Sequence, residues 1–311
     1  MENLWIVGAG NMGQEYVKVL KSLPVDFSVI GRGYKSANDL KEKYDISVVC
    51  GGVKKAIEET KNNIPTRAIV CSTIDTLAEC TIELFNAGIK YILLEKPGGL
   101  NLQEISEIKK SAEKNDAEVY IAYNRRFYSS VIEAQKIIEE DGGVTSFQFD
   151  FTEWSHYIEP LNISSEIKQS WLLCNSSHVL DLAFFLGGKP KEIKGFSAGA
   201  LSWHPRASVF CGAGYTTNEI PFSYHANWES AGRWSVEICT SKRKLILRPL
   251  EELHEILRGS VAIQKRDVDN SLDVKFKPGL FLQCEAFLNN DFERFISISD
   301  FVEMVKLYED L

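Results

Sequence analysis

Excess positive charge, long apolar runs and paired cysteines are what this sequence lacks. A net charge of −8 argues against a general nucleic-acid binder, which needs a basic face. No apolar run is long enough to span a bilayer. The chain also enters its first strand without a leader-like segment, so a cytoplasmic protein with no membrane association is expected. Seven cysteines, at 50, 71, 80, 174, 211, 239 and 284, form no C-x-x-C pair. Their odd count and mostly apolar surroundings point to buried thiols in a reducing compartment rather than a disulfide framework. What remains is ample: 311 residues, 44% hydrophobic and 25% charged, which suits two domains with sizeable cores and excludes a disordered chain.

The first part of the chain alternates strand and helix. Short apolar runs at Leu4–Val7, Phe27–Ile30, Ser47–Cys50, Ala68–Cys71, Tyr91–Leu94 and Val119–Ala122 read as strands covered on both faces. Helical patterns fall between them at Met12–Leu20, Ala37–Tyr44, Thr76–Ala87 and Leu102–Lys114. This order gives an α/β doubly wound parallel sheet, a Rossmann domain over residues 1–122. From Tyr123 the pattern changes. Helices are expected at Ser129–Glu139, Ser177–Leu186, Phe281–Leu288 and Asp300–Tyr308. Strands are expected at Thr145–Trp154, Glu192–Ser197, Glu219–Trp228, Arg233–Cys239 and Lys244–Leu247. Residues 123–311 therefore read as a second α/β domain built on a large, mostly antiparallel open sheet, its last helix able to pack back on the first domain.

Directly after the first strand stands GAGNMG, comprising Gly8, Ala9, Gly10, Asn11, Met12 and Gly13. A G-x-G-x-x-G between a strand and a helix fits a dinucleotide. Gly8 permits the tight turn, Gly10 admits a pyrophosphate, and Gly13 lets the helix pack closely. The helix start then offers unpaired N–H groups and the positive end of the dipole. An NAD site usually adds an acid at the end of the second strand for the ribose 2′-hydroxyl. Here the strand runs into Gly31-Arg32-Gly33-Tyr34-Lys35-Ser36. A small residue followed by arginine suits a 2′-phosphate, so NADP is expected over NAD. Arg32 has a plainer alternative as a solvated loop charge.

Four more groups could carry chemistry. Glu95-Lys96-Pro97 closes the fifth strand, on the sheet edge where ligands bind; its alternative is a surface ion pair. Ser72-Thr73 closes the fourth strand and is in place to contact a cofactor. Tyr123-Asn124-Arg125-Arg126-Phe127 follows the sixth strand and suits hydroxyl or phosphate recognition, or else serves as a hinge. His178, behind Asn175, Ser176 and Ser177, is either a cap or core histidine or a general acid/base. Asp181 lies one helical turn on, where it could orient that ring. A zinc site from Cys174 and His178 lacks further ligands at matching spacing, so no metal is expected.

Together GAGNMG, EKPGG, YNRRF and HVLDLAFFLGG, in this order and spacing, resemble the glucose–fructose oxidoreductase / inositol dehydrogenase / MocA family over essentially the whole chain. The resemblance implies a nicotinamide-dependent dehydrogenase or reductase acting on a carbon-bound hydroxyl of a sugar, cyclitol or sugar nucleotide. The family's catalytic lysine maps to Lys96 and its histidine to His178. Cofactor contacts fall on Gly8, Gly10, Asn11, Met12, Gly13, Gly31, Arg32, Ser36, Ser72, Thr73, Glu95 and Lys96. Substrate contacts fall on Tyr123, Asn124, Arg126, Asn175 and His178. The family also implies a homodimer or homotetramer formed through the open sheet. One departure matters. The family often has Asp four residues before its histidine, and here that residue is Cys174. A thiol replaces neither the charge nor the hydrogen bonds of a carboxylate, which leaves a non-catalytic cofactor or sugar sensor of the same fold as the alternative. Milder departures put Ser72-Thr73-Ile74 in place of a common Thr-Pro pair and Leu77 in place of a common His.

Overall fold

A computed structural model describes residues 3–60, 63–309 and 311. Its strands are β1 (Asn3–Val7), β2 (Asp26–Gly31), β3 (Val48–Cys50), β4 (Arg67–Val70), β5 (Tyr91–Leu94), β6 (Glu118–Ile121), β7 (Ser146–Asp150), β8 (Pro190–Ala198), β9 (Val209–Thr216), β10 (Pro221–Asn227), β11 (Ser235–Cys239), β12 (Arg243–Leu247), β13 (His254–Leu257), β14 (Gln264–Lys265) and the short Ile296–Ser297. The chain divides into two compact units. One takes the residues up to Tyr123 together with Lys275–Glu303; the other takes Asn124–Val274 and Met304–Leu311.

In the first unit β1 to β6 are parallel, in the order β6-β5-β4-β1-β2-β3. The strand order reverses between β1 and β4, which opens a crevice at their C-terminal ends. β1, β4 and β5 are almost wholly buried, as expected for strands with helices on both faces. Ile296–Ser297 pairs antiparallel with β6, Ile296 opposite Ile121. The returning segment is tied down by Arg67, which donates to the Phe287 carbonyl (3.1 Å) and to Asn290 Oδ1 (2.6 Å). Phe292 also stacks on Tyr120 with ring centroids 4.3 Å apart. β5 and the helix Leu102–Lys114 have the limits the sequence pattern gives. The helix Gly52–Thr60 is an addition to that pattern. It starts on the second of two glycines at positive φ, Gly51 and Gly52, and buries only Val53 and Ala56, too narrow a stripe to stand out.

The second unit is an eight-stranded sheet in the order β14-β13-β12-β11-β7-β10-β9-β8. Every adjacent pair is antiparallel except β7 and β10. Phe147, Phe149 and Phe151 alternate onto one face and are buried. The helix Ser177–Gly187 packs there, with Phe184 edge-on to Phe147 at 6.0 Å. The expected strand Thr145–Trp154 is shorter, Ser146–Asp150, because the backbone turns back at Thr152, whose N–H donates to Asp150 Oδ1. β9 lies outside the sequence expectations; Gly212 and Gly214 weaken its strand signature. The thiols also differ from expectation. Only Cys71, Cys174 and Cys284 are buried, and Cys211 is exposed on β9.

Asp141, at the end of the helix Ser129–Glu140, anchors that helix to the sheet. It accepts from Thr240 Oγ1 and Arg243 Nε, both at 2.8 Å. Burial pushes its carboxyl up, but these hydrogen bonds and the Arg243 charge outweigh burial and hold it below the usual carboxylate range. A depressed carboxylate contributes stability that is present above the unfolded value of about 4 and lost as pH falls through the folded value. Asp141→Asn should therefore flatten the acid limb of a urea-unfolding pH series and lower stability at neutral pH by roughly 1–3 kcal/mol. A variant with the wild-type acid dependence would remove Asp141 from this account.

Candidate functional site

In the first unit the glycine turn is dictated by space. Gly8 has φ +131°, and a Cβ there would lie 2.5 Å from the Cys71 carbonyl oxygen. A Cβ on Gly13 would collide with the Gly8 carbonyl, whereas one on Gly10 would meet nothing within 4 Å. The turn is thus closed toward the protein and open at Gly10. The helix Asn11–Leu20 starts beside it with no acid in its first turn, so its N–H groups face outward with a positive dipole end. Asn11 is exposed and Met12 half-buried. This cradle fits a dinucleotide pyrophosphate.

At the end of β2, Gly31 is enclosed. A Cβ there would lie 2.8 Å from Ala37 Cβ and 3.2 Å from Ala9 Cβ, so an acidic side chain would have to displace one of them. The next residues, Arg32 to Ser36, are exposed. Ser36 donates to the Gly33 carbonyl at 3.3 Å. The Lys55 ammonium lies 6.0 Å from the Tyr34 ring centroid, which adds a second cation to this corner. At the end of β4, Thr76 Oγ1 lies within hydrogen-bond distance of Ser72 Oγ and of the Thr73 carbonyl, both at 3.0 Å, and fixes that turn.

Glu95 follows β5 and accepts from Tyr16 Oη at 2.7 Å. Tyr16 comes from the helix that the glycine turn opens, so the two loops are joined. Burial pushes the Glu95 carboxyl up, opposed by the Tyr16 hydrogen bond and the Lys96 charge. Its hydrogen-bond partner is this buried tyrosine rather than a surface cation. Lys96 is half-buried, and the Lys96–Pro97 bond is cis. Tyr123 belongs to this unit, 1% exposed, with its ring edge-on to Phe301 at 5.8 Å.

In the second unit, Asn124–Phe127 forms a short 3₁₀ turn. Arg126 donates from Nε (2.8 Å) and Nη2 (2.6 Å) to the two oxygens of Asp181. This corrects the expectation that Asp181 orients His178: both carboxylate oxygens go to Arg126. It also places Arg126 in a buried fork with Asp181, 8% exposed, and its guanidinium lies over the Phe185 ring at 4.6 Å. His178 is 6% exposed, its ring centroid 6.1 Å from that of Trp234. It opens the helix Ser177–Gly187 just after a π-helical turn, Leu172–Ser176, that contains the buried Cys174.

Sequence reasoning missed Glu153. This carboxylate, 1% exposed, accepts from Asn175 Nδ2 (2.9 Å), Ser176 Oγ (2.8 Å) and Arg233 Nη1 (2.8 Å). It therefore holds the turn leading into His178, where the chain itself supplies Cys174. Burial pushes its carboxyl up, opposed by Arg233 and these hydrogen bonds. The available signal was a lone acid in the apolar run FTEW. Among the described residues no cluster of histidine, cysteine, aspartate and glutamate could hold a metal, and no helix is long and apolar enough to cross a membrane.

A family described as "Oxidoreductase family, NAD-binding Rossmann fold" matches residues 3–123, the stretch that carries the glycine turn and Lys96. Residues 3–123 thus match the glucose–fructose oxidoreductase / inositol dehydrogenase / MocA family. The chain is 23% identical over 152 residues to trans-1,2-dihydrobenzene-1,2-diol dehydrogenase of Danio rerio, covering 47% of this chain and 44% of that enzyme. It is 24% identical over 136 residues to myo-inositol 2-dehydrogenase of Thermotoga maritima, covering 43% and 40% respectively. The match thus spans less than half the length of these curated relatives. A solved levoglucosan dehydrogenase, in complex with NADH and L-sorbose, shares the fold with a TM-score of 0.79 at 16% identity, over 99% of this chain and 96% of that one.

Breaking the Arg126–Asp181 fork should be costly, because it strands a buried charge. Arg126→Met is expected to lose about 3–5 kcal/mol in urea unfolding, and Arg126→Met/Asp181→Leu to recover part of that loss. A single variant within 0.5 kcal/mol (about the scatter of ordinary surface changes) would mean the fork is dispensable.

Proposed function

We propose that this chain is an NADP-dependent oxidoreductase that moves a hydride between nicotinamide and a carbinol or carbonyl carbon of a sugar, cyclitol or sugar nucleotide. One observation carries the reading: the open glycine turn after β1 and Lys96 after β5 stand at the same C-terminal edge of one parallel sheet. When bound, the nicotinamide supplies the hydride chemistry. The proposal gives the chain's residues the remaining tasks. Gly8, Gly10, Asn11, Met12 and Gly13 cradle the pyrophosphate, with Ser72, Thr73 and Glu95 alongside. Lys96 hydrogen-bonds the reacting oxygen and stabilises negative charge on it. His178 takes or returns the hydroxyl proton. Tyr123, Asn124 and Asn175 contribute to the substrate's surroundings. The first unit thus has the nucleotide role and the second the substrate role.

The choice of NADP rests on the corner after β2. Gly31 has no room for the acid that would accept from a ribose 2′-hydroxyl. Arg32, with Ser36 and the nearby Lys55, offers donors and charge to a 2′-phosphate instead. Arg32→Ala is expected to weaken NADP(H) far more than NAD(H) in calorimetric titration, by roughly 10-fold or more, as removal of a charge-assisted partner does. Equal affinities for the two cofactors in the unmodified protein would reject the assignment.

The open sheet supports a homodimer or homotetramer. Its outer side exposes Phe196 (77%) and Tyr215 (50%) on adjacent strands, apolar area that a second copy would cover.

The test of catalysis is turnover, followed as nicotinamide absorbance with a panel of sugars, sugar acids and sugar nucleotides. Lys96→Ala should keep the fold and cofactor affinity but lose about 10²–10³-fold in rate, typical of a removed oxyanion donor. His178→Asn should lose about 10²–10⁴-fold. Cofactor binding with no turnover on any substrate would favour the non-catalytic sensor, which the buried Cys174 makes the second reading.

A further inference from the structure

Two arginines adjacent in sequence have opposite fates in the second unit. The Arg126 fork is filled by Asp181. Among the described residues the Arg125 side chain makes one long hydrogen bond, from Nη1 to Asn124 Oδ1 at 3.5 Å. Its Nε is buried and has no hydrogen-bond partner among the described residues. Its guanidinium lies 4.8 Å from the Trp234 ring centroid, and that of Arg233 lies 4.2 Å from the same ring. Trp234 is 6% exposed, and its indole N–H also has no partner among the described residues. Glu153 accepts from Arg233 through one oxygen and spends the other on Asn175 and Ser176.

We infer that Arg125, Trp234 and Arg233 form an oxyanion-binding subsite beside His178, and that the substrate carries a carboxylate or phosphate group that occupies it. A guanidinium has five donors and no acceptor. Stacking on an indole steadies the cation without using any of those donors. A buried donor left unfilled is costly, so two of them beside one ring call for an acceptor. Charge narrows the choice. Arg125 and Arg233 both lie against the Trp234 ring and repel. The charges of Glu251 and Glu153 reach Arg125, but Glu153 is hydrogen-bonded between Arg233 and the His178 turn, and neither carboxylate is hydrogen-bonded to Arg125 among the described residues. A neutral hydroxyl would accept hydrogen bonds but leave that repulsion. An oxyanion does both, with the fork geometry that arginine favours. The 6.1 Å separation of His178 and Trp234 rings puts the anchored group close to the proposed proton-transfer residue. The binding claim stands on the second unit alone; its link to substrate choice rests on the oxidoreductase reading.

Binding to the full chain, without turnover, tests the claim. Intrinsic tryptophan fluorescence and calorimetry would compare glucose with glucuronate, glucose 6-phosphate and inorganic phosphate. At least one anionic sugar should bind about 10-fold or more tighter than glucose, the margin of one charged hydrogen bond. Glucuronate alone with this margin identifies a carboxylate ligand, and glucose 6-phosphate alone a phosphate. Arg125→Gln should erase the margin. So should Arg233→Gln, whose half-exposed side chain makes it the safer variant for folding. Arg32→Ala should leave it intact. Glucose binding as tightly as the anions, a margin that survives Arg233→Gln in folded protein, or a margin lost only in Arg32→Ala would each overturn the subsite. So would no anion binding at all. An intact margin with no turnover would instead count against the oxidoreductase reading.

Discussion

Arg126 and Asp181 meet in a nearly dry interior, joined by two parallel hydrogen bonds of 2.8 and 2.6 Å. Removing two charges from water is expensive, and only close, fork-shaped pairing offsets the cost. The pair joins the turn Asn124–Phe127 to the helix Ser177–Gly187 within the second unit. Whatever Arg125 and His178 do chemically depends on that link, because each sits next to one end of it. The same arrangement explains why two neighbouring arginines diverge. One is consumed in building the scaffold, and its neighbour is left with donors to spare.

Lack of space has a comparable role in the first unit. The glycines are defined less by flexibility than by the atoms a side chain would strike. Gly8 and Gly13 press against Cys71 and against each other, while Gly10 faces open space. Gly31 is hemmed in by Ala9 and Ala37, so the absence of an acid at that strand end is built into the packing. Cofactor preference then passes to the exposed residues just beyond it. Tyr16 adds a mechanical link, since it belongs to the helix opened by the glycine turn and holds the carboxylate next to Lys96.

Much of this was legible in the sequence where local pattern and tertiary position agree. Buried parallel strands such as Tyr91–Leu94 are continuous apolar runs because both faces are covered. The GAGNMG turn announces itself because few residues fit there. Legibility failed where partners are distant in sequence. Glu153 lies 22 residues from Asn175 and 80 from Arg233, and nothing local marks it as their acceptor. Asp181 sits at the helical spacing that would suit His178, yet a stronger partner, 55 residues away, takes both its oxygens. Periodicity reports which residues share a face; it does not report which of several charges wins a carboxylate. β9 escaped notice for a different reason, since its glycines dilute the alternation on which strand recognition depends.

The first unit completes itself late. Its sheet ends on β6 until Ile296–Ser297 arrives to pair with it, and Arg67 awaits Phe287 and Asn290. During synthesis Asn124–Val274, the larger part of the second unit, must leave the ribosome before this edge is closed. Through that interval the nascent chain displays the open outer edge of β6, Tyr120 included, a template for wrong pairing with another chain. The discontinuity that gives the finished sheet its last strand therefore makes chaperone protection of the nascent chain most valuable before its final segment is made.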